Sequence, residues 1–149
     1  MIELRRHAIV AQPADVVFGL VNDIERYPEF VPGCDSAQVL ERDGAEIVAQ
    51  LGVRHGALHT SFTTRNRAAD GRTVHMRLVD GPFKHFDGHW QVRPRGNEAC
   101  EIELVLHYQF SNPLKRALLQ PLFSGIAEQM VRAFVQRAQS LGAARAAPR

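Results

Sequence analysis

The longest periodic pattern in the chain lies near its C-terminal end, over residues 113–141. Asn112 followed by Pro113 is typical of a helix start, because an Asn side chain caps free N–H groups and proline suits the first helical position. Gly142 is placed to end the helix, which leaves residues 142–149 as a frayed tail. Apolar residues recur at every fourth position, as one face of an amphipathic helix requires, and they are Leu114, Leu118, Leu122, Ile126, Met130, Phe134 and Ala138. The pattern predicts one helix of roughly 40 Å.

A second pattern, with period two, runs from Ser36 to Ser111 and predicts six strands. The turns between them contain glycine and are too short for parallel crossovers, so consecutive strands form antiparallel hairpins. A further strand is predicted over residues 2–10, and a helix from Pro13 to about Ile24. Only the C-terminal helix is long enough to cover the apolar face of such a sheet. The predicted fold class is α+β, a curved antiparallel sheet wrapped around the long C-terminal helix in a helix-grip arrangement, as a single domain over residues 1–141.

The segment from Asp23 to Cys34 breaks both patterns. It holds two prolines, too many for a regular long helix, and too many apolar residues for a solvated loop. A short, partly buried helical cap fits this composition. Its aromatic side chains either plug one end of the core or form a lid over an internal cavity, and the sequence leaves both readings open.

The composition is that of one globular domain, large enough for a core or for a core with a cavity. The chain has 149 residues, of which 45% are hydrophobic and 23% charged. Its formal net charge of +2 is well below that of a protein dedicated to nucleic acid, and no DNA partner is expected. Cys34 and Cys100 lie far apart without a CxxC spacing, which favours reduced thiols. Without a signal-like apolar region or a run of about 18 apolar residues, the chain is predicted to be cytoplasmic.

No recognisable catalytic or metal-binding motif is present in the sequence. The pairs His55/His59 and His85/His89 fall on or beside predicted strands, where residues four apart lie about 13 Å from each other, too far to share one ion. The inward-phase residues over 47–110 are nearly all aliphatic, aromatic, Thr or Gly, with no side chain placed to transfer protons. These observations predict a protein that is not an enzyme and that uses neither a metal nor a cofactor.

Several cationic residues are candidates for a surface that binds nucleic acid or anionic lipid headgroups. No aromatic residues are interleaved with them, so ordinary solvated positions are the favoured interpretation. Arg6 in addition breaks the apolar face of the first strand, and it either reaches solvent or faces a ligand. The cationic candidates are Arg5, Arg6, Lys115, Arg116, Arg132 and Arg137.

Three blocks of sequence resemble one known family. They are Val21–Cys34 (VNDIERYPEFVPGC), Phe62–Asn66 (FTTRN) and Leu78–Lys84 (LVDGPFK), the last followed by Trp90. In combination they resemble the coenzyme Q-binding START-domain family, which includes RatA-type ribosome-association toxins and lies in the polyketide cyclase-like SRPBCC superfamily. The resemblance covers nearly the whole chain, from His7 to about Ala138.

The resemblance implies a START-like helix-grip fold around a hydrophobic tunnel, and two roles. The first is non-catalytic binding of a hydrophobic small molecule, ubiquinone or another polyprenyl lipid, that supports respiration, with the inner-membrane surface as a second location. The alternative is a toxin that binds the large ribosomal subunit and blocks subunit association. The partner is therefore a lipid, a membrane surface or a ribosomal subunit, and the only bound group expected is a lipid ligand.

The resemblance also implies ligand contacts at three places. The residues expected at the tunnel mouth are Tyr27, Phe30, Val31 and Pro32. Those expected to line the tunnel from the sheet are Phe62, Phe83 and Trp90, with Thr60, Thr64 and Tyr108 as hydrogen-bond donors to a quinone carbonyl. Those expected to line it from the helix are Leu118, Leu122, Ile126 and Met130.

Overall fold

The computed structural model describes the backbone of residues 1–146 and the side chains of residues 1–141. The elements in chain order are β1 Ile2–Val10, α1 Ala14–Asn22, β2 Cys34–Asp43, β3 Glu46–His55, β4 Leu58–Ala69, β5 Thr73–Asp80, β6 Phe83–Pro94, β7 Cys100–Phe110 and α2 Pro113–Ala146. A 3₁₀ helix, Ile24–Glu29, follows α1. The seven strands form one antiparallel sheet in the order β1-β7-β6-β5-β4-β3-β2, so that β2 to β7 make a meander and β1 returns beside β7. The predicted helix-grip architecture is confirmed.

Helix α2 begins where the sequence predicts. The backbone N–H of Lys115 donates a hydrogen bond to Oδ1 of Asn112 over 2.8 Å, which is the contact of an N-cap. The predicted stop at Gly142 is wrong, because the helix continues to Ala146. One glycine costs a helix about 1 kcal/mol relative to alanine, and the alanine-rich residues after it favour helix strongly. Residues 147–149 lie outside the described part of the chain, where the frayed tail stays a prediction.

The buried face of α2 differs from the predicted every-fourth-residue repeat. In an α-helix an i+4 step advances about 40° around the axis, so four such steps from Phe134 back to Leu118 turn the side chain by about 160°. Leu114 and Leu118 are accordingly 69% and 55% exposed. The residues buried along α2 are Leu119, Leu122, Phe123, Ala127, Val131, Ala133, Phe134 and Ala138. The helix thus meets the protein from Leu119 onward.

We call residues 23–33 the cap segment. It packs directly against α2, with the Tyr27 and Phe30 ring centroids 5.2 and 5.1 Å from that of Phe134. Trp90 of β6 reaches the same ring from the sheet, 4.6 Å away and nearly perpendicular. Cap, helix and sheet therefore share one aromatic contact at Phe134, which is fully buried. None of the helices described is long and apolar enough to cross a membrane.

Candidate functional site

A cavity lies between the inner face of the sheet, the cap segment and α2. The space open to the centre of a water molecule is about 80 Å³, enough for a few water-sized groups. Six strands, α1, the cap segment and α2 all contribute to its wall. The lining residues are Val21, Ile24, Tyr27, Val31, Cys34, Ala49, Leu51, Val53, Phe62, Thr64, Asn66, Val74, Met76, Phe86, Trp90, Leu104, Leu106, Tyr108, Phe123, Ile126, Ala127 and Met130. The wall is almost entirely apolar.

The structure brings more than half of the predicted ligand contacts together at this cavity. The cap supplies two of them, the sheet four and α2 two. They are Tyr27, Val31, Phe62, Thr64, Trp90, Tyr108, Ile126 and Met130. Their ligand-binding role stays a prediction, but their convergence around one space agrees with it.

Three other predicted contacts, two from the cap and one from β4, do not line the cavity. Phe30 packs against Phe134 and beneath the Arg137 guanidinium, whose Cζ lies 5.2 Å from the ring centroid. Pro32 is exposed, and Thr60 is half-buried near the start of β4 away from the cavity wall. The cap therefore presents every third or fourth residue to the cavity, Ile24, Tyr27 and Val31, instead of its whole proline-aromatic run.

The remaining three predicted contacts serve packing or face solvent. Phe83 belongs to an aromatic cluster, with its ring centroid 5.1 Å from Phe110 and 4.9 Å from Phe123. Leu122 is buried beside the cavity without lining it, and Leu118 is exposed for the helical reason given above. The helix wall is built instead by Phe123, Ile126, Ala127 and Met130.

Asn66 is a cavity residue that was not among the predicted contacts. It lies on β4 in the same inward phase as Phe62 and Thr64, so the period-two pattern contained the signal. The Thr64 hydroxyl donates a hydrogen bond to Asn66 Oδ1 over 2.8 Å. The two amide hydrogens of Asn66 and the Tyr108 hydroxyl therefore remain as donors to a carbonyl in the cavity.

The titratable groups of the cavity are held in their neutral forms. Burial raises the pKa of Tyr27, whose hydroxyl donates to the Val21 carbonyl, and burial together with Glu128 raises the pKa of Tyr108. Burial also raises the pKa of the Cys34 thiol to about 11. Among the residues described, the cavity wall contains no Asp, Glu, His, Lys or Arg. At neutral pH the wall therefore offers hydrogen-bond donors but no base.

The Arg6 guanidinium on β1 is paired with the carboxylate of Glu128 on α2. Its Nε lies 3.0 Å from a carboxylate oxygen of Glu128, and a second guanidinium nitrogen contacts the other oxygen, so the pair is bidentate. This pair joins β1 to α2. The Arg6 side chain is not part of the cavity wall.

Three of the six cationic candidates are paired with carboxylates. Arg5 pairs with Glu103 at 3.4 Å, Arg6 with Glu128, and Arg137 with Glu29 at 2.7 Å. Arg116 donates to Gln120 Oε1 on its own helix. For the three arginines that are paired, this arrangement agrees with the interpretation that they are ordinary surface cations.

Residues 10–135 match the family described as polyketide cyclase / dehydrase and lipid transport. The chain is 44% identical over 138 residues to the ribosome association toxin RatA of Pseudomonas aeruginosa, covering 93% of this chain and 96% of that protein. The chain belongs to this family, and within it to the RatA group. The RatA of Escherichia coli K12 is 37% identical, over 97% of this chain and 92% of its own length. The mitochondrial coenzyme Q-binding protein COQ10 of Dictyostelium discoideum is more distant, at 24% identity over 87% of this chain and 65% of that protein.

Two solved structures share the fold. A START superfamily protein from Mycobacterium smegmatis superimposes with a TM-score of 0.79 at 19% identity, covering 93% of this chain and 98% of the other. The Zhui aromatase/cyclase from Streptomyces sp. R1128 superimposes with a TM-score of 0.80 at 18% identity, covering 93% of each chain. At these identities the likeness establishes the START-like fold alone.

Proposed function

We propose that this protein binds the large ribosomal subunit and blocks its association with the small subunit. The observation that carries the proposal is the 44% identity to a ribosome association toxin along 93% of the chain. The alternative role stated from the sequence is thus better supported than ubiquinone binding, for which the named relative is 24% identical. Because the partner is the ribosome, the proposal places the protein in the cytoplasm.

The cavity volume also argues against enclosure of a polyprenyl lipid in this conformation. Pockets that hold drug-sized ligands measure about 300–1,000 Å³, whereas the space here is about 80 Å³. A polyprenyl tail enters only if α2 or the cap segment moves away from the sheet. The aromatic contacts around Phe134 oppose such a movement.

A second candidate function is the retention of a small apolar molecule with one hydrogen-bond acceptor. The observation that favours it is the Asn66 side-chain amide, a hydrogen-bond donor in a largely apolar wall. Such a donor is satisfied by one carbonyl oxygen. Organic extraction of the purified protein followed by mass spectrometry tests this role, and an extract without any stoichiometric compound contradicts it.

Both roles are non-catalytic in this proposal, although the fold also occurs in an aromatase/cyclase. The support is chemical: two tyrosines and one thiol with raised pKa values, and no carboxylate, imidazole or amine in the described cavity wall. General acid–base catalysis needs a group with a pKa near the working pH. Turnover of a polyketide analogue by the wild-type protein that is lost in Tyr108→Phe would overturn this part of the proposal.

Cosedimentation tests the ribosomal partner directly. Purified large and small subunits are each centrifuged through a sucrose cushion with the protein in slight molar excess. We expect the protein to pellet with the large subunit at close to one copy per particle and to stay in the supernatant with the small subunit. Equal recovery with both subunits, or with neither, contradicts the proposal.

A further inference from the structure

The outer face of the sheet, opposite the cavity, carries a compact group of basic side chains on β4 and β5. Asn66 lines the cavity, so by the alternation of a strand its neighbours Arg65 and Arg67 lie on the outer face. In the strand register Arg65 lies opposite Arg77, and Arg67 lies opposite His75. We call these four residues the outer basic cluster.

The cluster is electrostatically unfavourable in the isolated protein. Like charges placed directly opposite each other on neighbouring strands are destabilising. Arg65 is partly compensated, with Nη1 2.8 Å from Oε1 of Glu46. Within the described residues Arg67 and Arg77 have no salt-bridge partner. Asp87 lies opposite Arg77 on β6, but its carboxylate contacts His85 and His107 instead.

Other outer-face arginines are neutralised, which sets the cluster apart. Arg5 lies near Glu103, Arg54 near Asp35 and Arg93 near Glu101, each within 3.4 Å. Among the residues described, β4 and β5 instead bring together two guanidinium groups without a salt-bridge partner, those of Arg67 and Arg77, at diagonal positions of the strand register. An anion from outside the chain is the partner that this arrangement lacks.

The shape of the cluster suits a phosphate ligand. A concavity of about 230 Å³ is lined by Glu46 and by all four members of the outer basic cluster. Planar guanidinium groups donate paired hydrogen bonds that match phosphate oxygens. Two free arginines around one depression can therefore hold a phosphate from two sides.

We propose that the outer basic cluster is a binding site for the phosphate backbone of RNA. The proposal rests on the ribosomal function proposed above and identifies the surface that contacts the ribosome. A membrane is the less favourable anion, because peripheral membrane binding combines cations with inserted apolar side chains. The residues next to the cluster across the sheet are Glu46 and Val48 on β3 and Asp87 and His89 on β6. Val48 is apolar but buried, so it does not insert into a bilayer, and Val79, two residues beyond Arg77 on β5, offers one small apolar side chain that is 50% exposed.

The test compares the Arg67→Gln/Arg77→Gln variant with the wild type in filter binding to purified ribosomal RNA. Each lost phosphate contact reduces the slope of log K against log salt by about 0.7–0.9, so we expect the slope to fall by about 1.5 and the affinity to fall roughly tenfold at about 0.1 M salt. The variant should unfold at the same or a higher temperature, since the substitution removes like-charge repulsion.

The matched control is Lys115→Gln/Arg116→Gln, which removes two exposed charges at the start of α2, away from the sheet face. It should keep wild-type affinity and slope. Binding of the cluster variant at wild-type affinity, or an equal loss in the control, overturns the inference. A cluster variant that keeps RNA binding but loses binding to vesicles of phosphatidylglycerol and phosphatidylcholine overturns it in favour of a membrane.

Cosedimentation separates this inference from the ribosomal function. If the wild type pellets with large subunits while the cluster variant binds RNA normally, only the inference fails. If the cluster variant loses RNA binding while the wild type does not pellet with large subunits, only the ribosomal function fails.

Discussion

A Cβ atom at Gly33 would lie 2.9 Å from the side chain of Ile126, so the cap segment meets α2 with no room for a larger residue. Gly33 has a φ angle of +82°, a region that L residues rarely adopt. Its carbonyl oxygen accepts a hydrogen bond from the Arg54 amide over 2.7 Å. One glycine thus joins the cap, β3 and the helix at the edge of the cavity.

Gly33→Ala should destabilise the protein through both the backbone and the contact with Ile126. We expect a loss of about 2–3 kcal/mol of unfolding free energy, of which about 1 is backbone strain. Gly56→Ala is the control, because Gly56 has a φ of +61° and no neighbour within 4 Å of an added Cβ. Chemical denaturation of both variants measures the difference. Equal losses would show that the contact with Ile126 has no energetic importance.

The orientation of α2 is tested by placing a carboxylate on each side of it. Ile126→Asp puts a charge at the cavity wall and should cost several kcal/mol of stability unless the carboxyl is neutralised. Leu118→Asp, at a side chain that is 55% exposed, should change stability by no more than about 0.5 kcal/mol. The every-fourth-residue repeat of the sequence predicts similar losses for both, and that outcome would contradict the helix orientation described here.

The strands, their antiparallel order and the start of α2 follow from sequence because each depends on local chemistry. Period-two alternation, glycine turns and the Asn112 cap act over a few residues. The buried side of α2 was harder to predict, because a repeat at every fourth residue fits an amphipathic helix only over two or three turns before the 40° drift accumulates. For this reason the repeat predicts the wrong side of the helix for Leu118, which is 55% exposed.

The cavity wall was predictable only in part. The position of Asn66 in the cavity wall follows from the alternation of β4, once the strand is known to extend to Ala69. The pairing of Arg6 with Glu128 was beyond prediction, because it joins residues 122 positions apart whose encounter depends on how α2 crosses the sheet. The outer basic cluster likewise required the register that sets Arg65 opposite Arg77.

Cys34 should react slowly with thiol reagents. With a pKa raised to about 11, its thiolate fraction at pH 8 is about a hundredfold lower than that of an ordinary thiol, and its side chain is also buried. Alkylation by iodoacetamide, followed by mass spectrometry of the Cys34 peptide, measures the rate against that of glutathione. A Cys34 rate within tenfold of glutathione would contradict a closed cavity wall.

Stability should decline as His89 is forced to take up a proton. Burial, and then the neighbouring His75, lower the pKa of His89 below its usual value of about 6.5. The unfolded chain therefore binds more protons than the folded one just below that pH, so the unfolding free energy falls as the pH drops through about 6.5.

The His75→Gln variant isolates this effect without removing the titrating group. It should move the His89 pKa, followed by NMR titration, back toward the usual value and reduce the stability loss between about pH 7 and pH 5. An unchanged His89 titration in this variant would show that the two rings, whose centroids lie 5.9 Å apart, do not interact electrostatically.

Reassociation of purified ribosomal subunits shows directly whether the protein blocks their association. Large and small subunits are mixed at a magnesium concentration that drives them together, with and without the protein in molar excess, and resolved on a sucrose gradient. We expect the intact-ribosome peak to shrink, free subunits to accumulate, and the protein to migrate in the large-subunit fractions. An intact-ribosome peak that is unchanged at every protein concentration would show that the protein does not block subunit association.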